Sequence, residues 1–119
     1  VWNDLDIKPN TYIGEKCVIQ PFTQLGENVF IGGQSSIGHH TVIKDHCFIA
    51  SCVSLAGSVV IEPYSFLGTG SLVRNKVSIA ERSLVGAGAI ILNDTRKGGV
   101  YAAKEAKDLG ISSDFLSPG

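Results

Sequence analysis

All three histidines of this chain fall in one stretch, Gly38-His39-His40-Thr41-Val42-Ile43-Lys44-Asp45-His46. An imidazole titrates near neutrality, so it can take the proton of an attacking amine or hydroxyl. A single histidine in a turn is ordinarily a solvated residue and nothing more. Here, however, Gly57 follows His39 by 18 residues, inside Leu55-Ala56-Gly57-Ser58. A glycine leaves its backbone N–H unshielded, and a bare amide can hold the oxyanion that develops on a carbonyl under attack. A base and an amide donor are the minimum apparatus for direct acyl transfer from a thioester. That chemistry requires the chain to bring residues 39 and 57 together.

The repeat supplies the means. Val, Ile or Leu recurs at every sixth position: Val1, Ile7, Ile13, Ile19, Leu25, Ile31, Ile37, Ile43, Ile49, Leu55, Ile61, Leu67, Val73, Ile79, Val85 and Ile91. Four positions after each stands a small or β-branched residue, with Leu5 the one bulky exception. No helix repeats every six residues, whereas stacked β-solenoids do. Both positions point inward and the residue between them points outward, as strand alternation requires. Three hexads close a coil of 18 residues, and coils stack about 4.8 Å apart. The sequence therefore predicts an all-β fold, a parallel β-helix of about five triangular coils. Residues 18 apart form columns, which puts His39 and Gly57 on adjacent rungs of one edge. His46 falls on a different edge.

The outward residues sort into three faces. Asp6, Gln24, Val42, Val60 and Ser78 make one, and Val18, Ser36, Ser54, Leu72 and Ile90 another. The third reads Tyr12, Phe30, Phe48, Phe66 and Leu84. Such a run of rings is a larger apolar patch than a monomer usually leaves in water. It is expected either to lie under the chain's own C-terminal segment or to be a subunit interface.

The hexads, with Ser36-Ile37-Gly38-His39-His40-Thr41-Val42-Ile43, Leu55-Ala56-Gly57-Ser58-Val59-Val60-Ile61 and Leu84-Val85-Gly86-Ala87-Gly88-Ala89, resemble the hexapeptide-repeat acyltransferases. Within them the likeness is to bacterial amino-sugar N-acetyltransferases and sialic acid O-acetyltransferases. The resemblance implies a left-handed coil, although the general crossover preference is right-handed. It implies His39 as general base, Gly57 as stabiliser of the reacting carbonyl, acetyl-CoA as co-substrate, a sugar or nucleotide-sugar acceptor, and no metal. It also implies a homotrimer, formed here through the Tyr12/Phe30/Phe48/Phe66 face. A small Rossmann-like domain often precedes the β-helix in that branch, which would account for a repeat already in phase at Val1. Three positions depart from the family pattern. His40 stands where some relatives have a carboxylate, and Phe48 stands where some have a histidine contacting acetyl-CoA. Ala103-Lys104-Glu105-Ala106-Lys107 replaces the usual Gly-x-Pro-Ala-Lys ending.

A corner column bordering the aromatic face is built of small residues: Gly32-Gly33, Ala50-Ser51, Gly68-Thr69-Gly70 and Gly86-Ala87-Gly88. Turns favour glycine in any case, but four coils in succession would leave a groove of exposed amides for a pantetheine arm. Its C-terminal end is expected to approach Arg96 and Lys97, whose charges suit the phosphates of CoA.

The rest of the chain bounds these readings. Ten Lys and Arg against 11 Asp and Glu, a net charge of −1, leave no nucleic-acid footprint. No apolar run reaches membrane-spanning length. Cys17, Cys47 and Cys52 suit a reducing compartment, hence the cytoplasm. The β-helix is expected over residues 1–97. A C-terminal loop, short helix and tail should occupy 98–119, with the helix over Tyr101–Leu109 before Gly110. Two other functions compete. A zinc carbonic anhydrase on this type of fold needs three converging histidines, and His46 is on the wrong edge. A non-catalytic assembly scaffold would use the aromatic face but leave the His39–Gly57 stack idle.

Overall fold

The computed structural model describes residues 4–115; Val1 lies outside them. Strands of two residues run from Asp6–Ile7 to Val100–Tyr101, each followed by a corner. They form three parallel sheets. The first stacks Asp6–Ile7, Gln24–Leu25, Val42–Ile43, Val60–Ile61 and Ser78–Ile79. The second, the aromatic sheet, stacks Tyr12–Ile13, Phe30–Ile31, Phe48–Ile49, Phe66–Leu67, Leu84–Val85 and Val100–Tyr101. The third stacks Val18–Ile19, Ser36–Ile37, Ser54–Leu55, Leu72–Val73 and Ile90–Ile91. Each paired residue sits on the one a full coil later, as Ile43 does on Ile61 and Phe48 on Phe66. The all-β solenoid of about five coils is the fold expected from the repeat.

The hexad explains the packing. Ile31, Ile37, Ile43, Ile49, Ile61 and Leu67 are wholly buried. Several of the small slots do a second job: their hydroxyls and thiols satisfy corner carbonyls. Thr23 Oγ1 donates to Gln20 O (2.8 Å), Ser65 Oγ to Glu62 O (2.9 Å) and Cys47 Sγ to Glu62 O (3.1 Å). Burial pushes the Cys47 thiol up to about 11, so it stays protonated at neutral pH.

The third residue of most corners sits in the left-handed region, including His40 (φ 57°), His46 (φ 62°), Ser58 (φ 59°) and Lys76 (φ 65°). A side chain there costs about 1–2 kcal/mol. The hydrogen bond from its N–H to the preceding coil offsets that cost, as in His40 N–H to Pro21 O (3.1 Å).

The C-terminus departs from expectation. Val100–Tyr101 joins the aromatic sheet, and Gly86 N–H donates to Tyr101 O (2.7 Å). No helix follows. Residues 102–110 are all exposed, so a helical face there would have nothing to bury, and a helix of that length is marginal by itself. The one helical turn among the described residues is a 3₁₀ turn at Ser113–Phe115. Tyr101 packs against the core instead, its hydroxyl accepting the Arg96 N–H at 2.8 Å. Among the described residues no helix is long and apolar enough to cross a membrane.

Ile61→Ala should remove about 2–5 kcal/mol of stability by leaving a cavity between adjacent coils. A lowered urea midpoint with unchanged slope will show it.

Candidate active site

The edge between the third and first sheets carries Gly38-His39-His40 and, one rung on, Ala56-Gly57-Ser58. The rungs are tied by Ser58 N–H to His39 O (2.8 Å) and Gly38 N–H to Leu55 O (2.8 Å). The His39 imidazole lies flat against the side-chain-free face of Gly57. A Cβ on Gly57 would stand 2.5 Å from His39 Nε2 and 2.7 Å from Cε1. Gly57 therefore has no side chain because the ring occupies that space. Gly38 is equally constrained, since a Cβ there would meet Gly57 N at 2.6 Å. Two glycines thus keep one amide bare, and among the described residues its N–H has no partner.

The other side of the His39 ring is held by its neighbour. His39 Nδ1 lies 3.0 Å from His40 Nδ1, with the rings nearly perpendicular (87°). His40 is fixed in turn by stacking on Phe22, one coil earlier, at 5.0 Å. The His39 backbone N–H donates to Gln20 Oε1 at 3.0 Å. Both histidines are exposed, so the His39 ring can be reached from solvent. Phe22 and His40 are legible as one column of the repeat, but their contact is a matter of side-chain direction.

His46 sits on the edge between the first and aromatic sheets. Its Nδ1 is 3.1 Å from Asn28 Nδ2, its ring stacks on Tyr64 (4.9 Å), and the Arg82 guanidinium covers Tyr64 (4.6 Å). His46 is one prism side away from His39, so the three histidines do not converge. Among the described residues no group of three His, Cys, Asp or Glu side chains could hold a metal ion.

The remaining expected site residues separate into two groups. Gly68, Thr69, Gly70, Gly86, Ala87 and Gly88 share the edge between the aromatic and third sheets. Gly68 is needed there for close stacking, because a Cβ would meet Ala87 N at 2.6 Å. Gly70 and Gly88 take φ of +71° and +70° with open space around them. Phe48 lies on the aromatic sheet, stacked between Phe30 (4.6 Å) and Phe66 (5.1 Å). In a triangular prism that sheet is opposite the His39 edge, so Phe48 and His39 of one chain do not meet.

Arg96 and Lys97 are not at the end of the glycine edge. Lys97 Nζ pairs with Glu81 Oε1 (3.3 Å), and Gly98 N–H donates to Glu81 O (2.9 Å), which places them on the His46 edge. The cause is the break after Ile91, where the six-residue rhythm stops and column arithmetic no longer applies. The cation that does stand at the end of the glycine edge is Lys104. With Tyr101, Ala102 and Ala103 it lines a depression over Gly88–Ile91.

Comparisons with known proteins agree with the repeat. Residues 22–57 match the model of the bacterial transferase hexapeptide (six repeats). No curated protein matches the chain. The acetyltransferase domain of PglB from Neisseria gonorrhoeae has a similar structure, at 24% identity and a TM-score of 0.64. The match covers 90% of this chain and 55% of that one, so the chain spans about half its length. The same domain in complex with acetyl coenzyme A gives a TM-score of 0.65, again at 24% identity. A serine acetyltransferase in complex with cysteine scores 0.71 at 16% identity, over 85% of this chain and 45% of that one. The resemblance to hexapeptide-repeat transferases read from the sequence is borne out in repeat and fold.

Gly57→Ala tests the stack directly. Gly57 has no positive φ, so the backbone tolerates alanine, but the methyl group must push the His39 ring away. The expected result is a changed imidazole ¹⁵N signal for both His39 and His40 with the far-UV circular dichroism spectrum preserved.

Proposed function

We propose that the chain is an acyltransferase that moves an acetyl group from acetyl-CoA to an amine of a sugar or nucleotide sugar. The observation that carries this reading is the unpartnered amide of Gly57, a glycine whose side-chain space is filled by the His39 imidazole at Nε2. His39 takes the proton of the acceptor amine as its nitrogen attacks the thioester carbonyl. The carbonyl oxygen becomes an oxyanion and accepts a hydrogen bond from Gly57 N–H. Collapse of the tetrahedral intermediate breaks the C–S bond, and the departing thiolate takes the proton from the His39 imidazolium. An amide and free CoA result. A hydroxyl acceptor would use the same base and donor to give an ester.

For Nε2 of His39 to be the base, its proton must sit on Nδ1. That nitrogen then donates to His40 Nδ1, and His40 carries its own proton on Nε2. His40 is thus the positioning residue in the place of a carboxylate, and Phe22 holds it there.

The opposition of His39 and the aromatic face supports a shared site. If the face of one chain packs on the His39 edge of the next, Phe48 joins the reacting centre and the exposed rings are covered. A contact between unlike surfaces closes when it forms a ring, and a triangular prism suits a homotrimer. The glycine edge bordering that face would carry the pantetheine arm, with Lys104 rather than Arg96 or Lys97 toward the phosphates. Three free thiols, at Cys17, Cys47 and Cys52, support a cytoplasmic setting.

Thiol release from acetyl-CoA with a panel of amino sugars and nucleotide amino sugars is the direct test. His39→Ala should lower kcat by about 10²–10⁴-fold with the assembly intact, and His40→Ala should lose less. Full activity in His39→Ala sinks the reading. Phe48→Asp should convert the trimer to monomers in size-exclusion chromatography and abolish transfer with it.

A further inference from the structure

The edge that carries His39 and Gly57 continues past them. Lys76 N–H donates to Gly57 O at 3.0 Å, which sets the corner Arg74-Asn75-Lys76 directly on the Gly57 rung. The corner of the next coil is Leu92-Asn93-Asp94, because Leu72–Val73 pairs with Ile90–Ile91. Arg74, Asn75, Lys76, Val77, Asn93 and Asp94 line an open depression of about 670 Å³. Arg74 and Lys76 are exposed, and neither forms an ion pair among the described residues. Asp94 is the one carboxylate in the lining, and its Oδ1 is engaged by the Ser78 N–H at 2.8 Å. Two free cations and two amides against one occupied carboxylate favour an anion. The arginine offers a fork for phosphate oxygens and the lysine a point charge.

We propose that this depression binds the phosphate of a glycosyl phosphate acceptor and thereby aims the amine of the sugar at His39. The inference rests on the acyl-transfer reading. Distance selects the acceptor over the co-substrate. The Arg74–Lys76 and Asn93–Asp94 corners lie one and two strand spacings from Gly57, about 5–10 Å. A single sugar ring spans that gap between its amine and a phosphate on the anomeric carbon. The pantetheine arm is several times longer than one ring. With a thioester at Gly57, an extended arm would carry its own diphosphate past this depression. Asn75 and Asn93 line the same depression and can read ring hydroxyls. A diphosphate linked to a nucleoside presents the same first phosphate, so sugar phosphates and nucleotide sugars share this anchor.

Two measurements on this chain test the proposal, each comparing it with an Arg74→Gln/Lys76→Gln variant. Both substitutions are at exposed corner positions, and circular dichroism will verify the fold. In calorimetry with inorganic pyrophosphate, the variant should bind at least tenfold more weakly, since a charge-assisted contact contributes about that much. Equal affinity in the two proteins overturns the site. In thiol-release kinetics with acetyl-CoA, 4-aminoglucose 1-phosphate and 4-aminoglucose serve as acceptors. The variant should raise KM about tenfold or more for the phosphorylated sugar only. A rise in the KM for acetyl-CoA with the acceptor KM unmoved assigns the depression to the co-substrate and overturns the acceptor assignment. Pyrophosphate binding by a chain that releases no thiol with any acceptor ends the acyl-transfer reading, while the anion site stands.

Discussion

Everything in this chain that bears on chemistry depends on the parallel pairing of each coil with the next at a constant offset. The pairing is a backbone interaction, but side chains fix its register. A slip of one residue would turn Ile43 and Ile61 outward and bring Val42 and Val60 into the prism. Because every wall is held this way, no corner can drift relative to the one below it. An imidazole and a glycine 18 residues apart in sequence are therefore brought into contact. The catalytic geometry inferred for His39 and Gly57 needs no dedicated scaffold. It follows from the same pairing that holds the core.

Glycine has three different jobs along the edges, and they are easily confused. At Gly68 it lets one coil approach the next. At Gly70 and Gly88 it adopts a conformation that Lys16, Gln34 and Cys52, in the same column, adopt at a steric cost. At Gly57 neither reason applies; an aromatic ring fills the space instead. The last kind points to a site, because the residue responsible is a titratable side chain rather than backbone. A row of glycines on one edge is thus weaker support for a ligand groove than a single glycine covered by a histidine.

The periodic part of the molecule was legible in the sequence, and the aperiodic part was not. The three sheets, the buried column of Ile and Leu, the aromatic face and the contact between His39 and Gly57 all follow from counting. The pairing of His39 with His40 did not, because it depends on the left-handed backbone at His40 and on the Phe22 ring beneath it. The same counting that linked residues 39 and 57 leads to 75 and 93, so the Arg74–Lys76 depression could have been reached from sequence by following the column further. Beyond Ile91 the reasoning lost its ruler. Arg96 and Lys97 moved to another edge, and composition suggested a helix over Tyr101–Leu109 where the chain has no apolar partner to stabilise one.

A molecule built as a stack also has a particular way of coming apart. Each layer touches only the layers above and below, so loosening in one layer passes to the others only through its neighbours. His39 and Gly57 belong to the middle of the pile, with Ile43, Leu55 and Ile61 wholly or almost wholly buried beside them. Loosening in a layer several coils away can proceed some way before it disturbs them. The two residues proposed to react are thereby insulated from loosening elsewhere in their own chain.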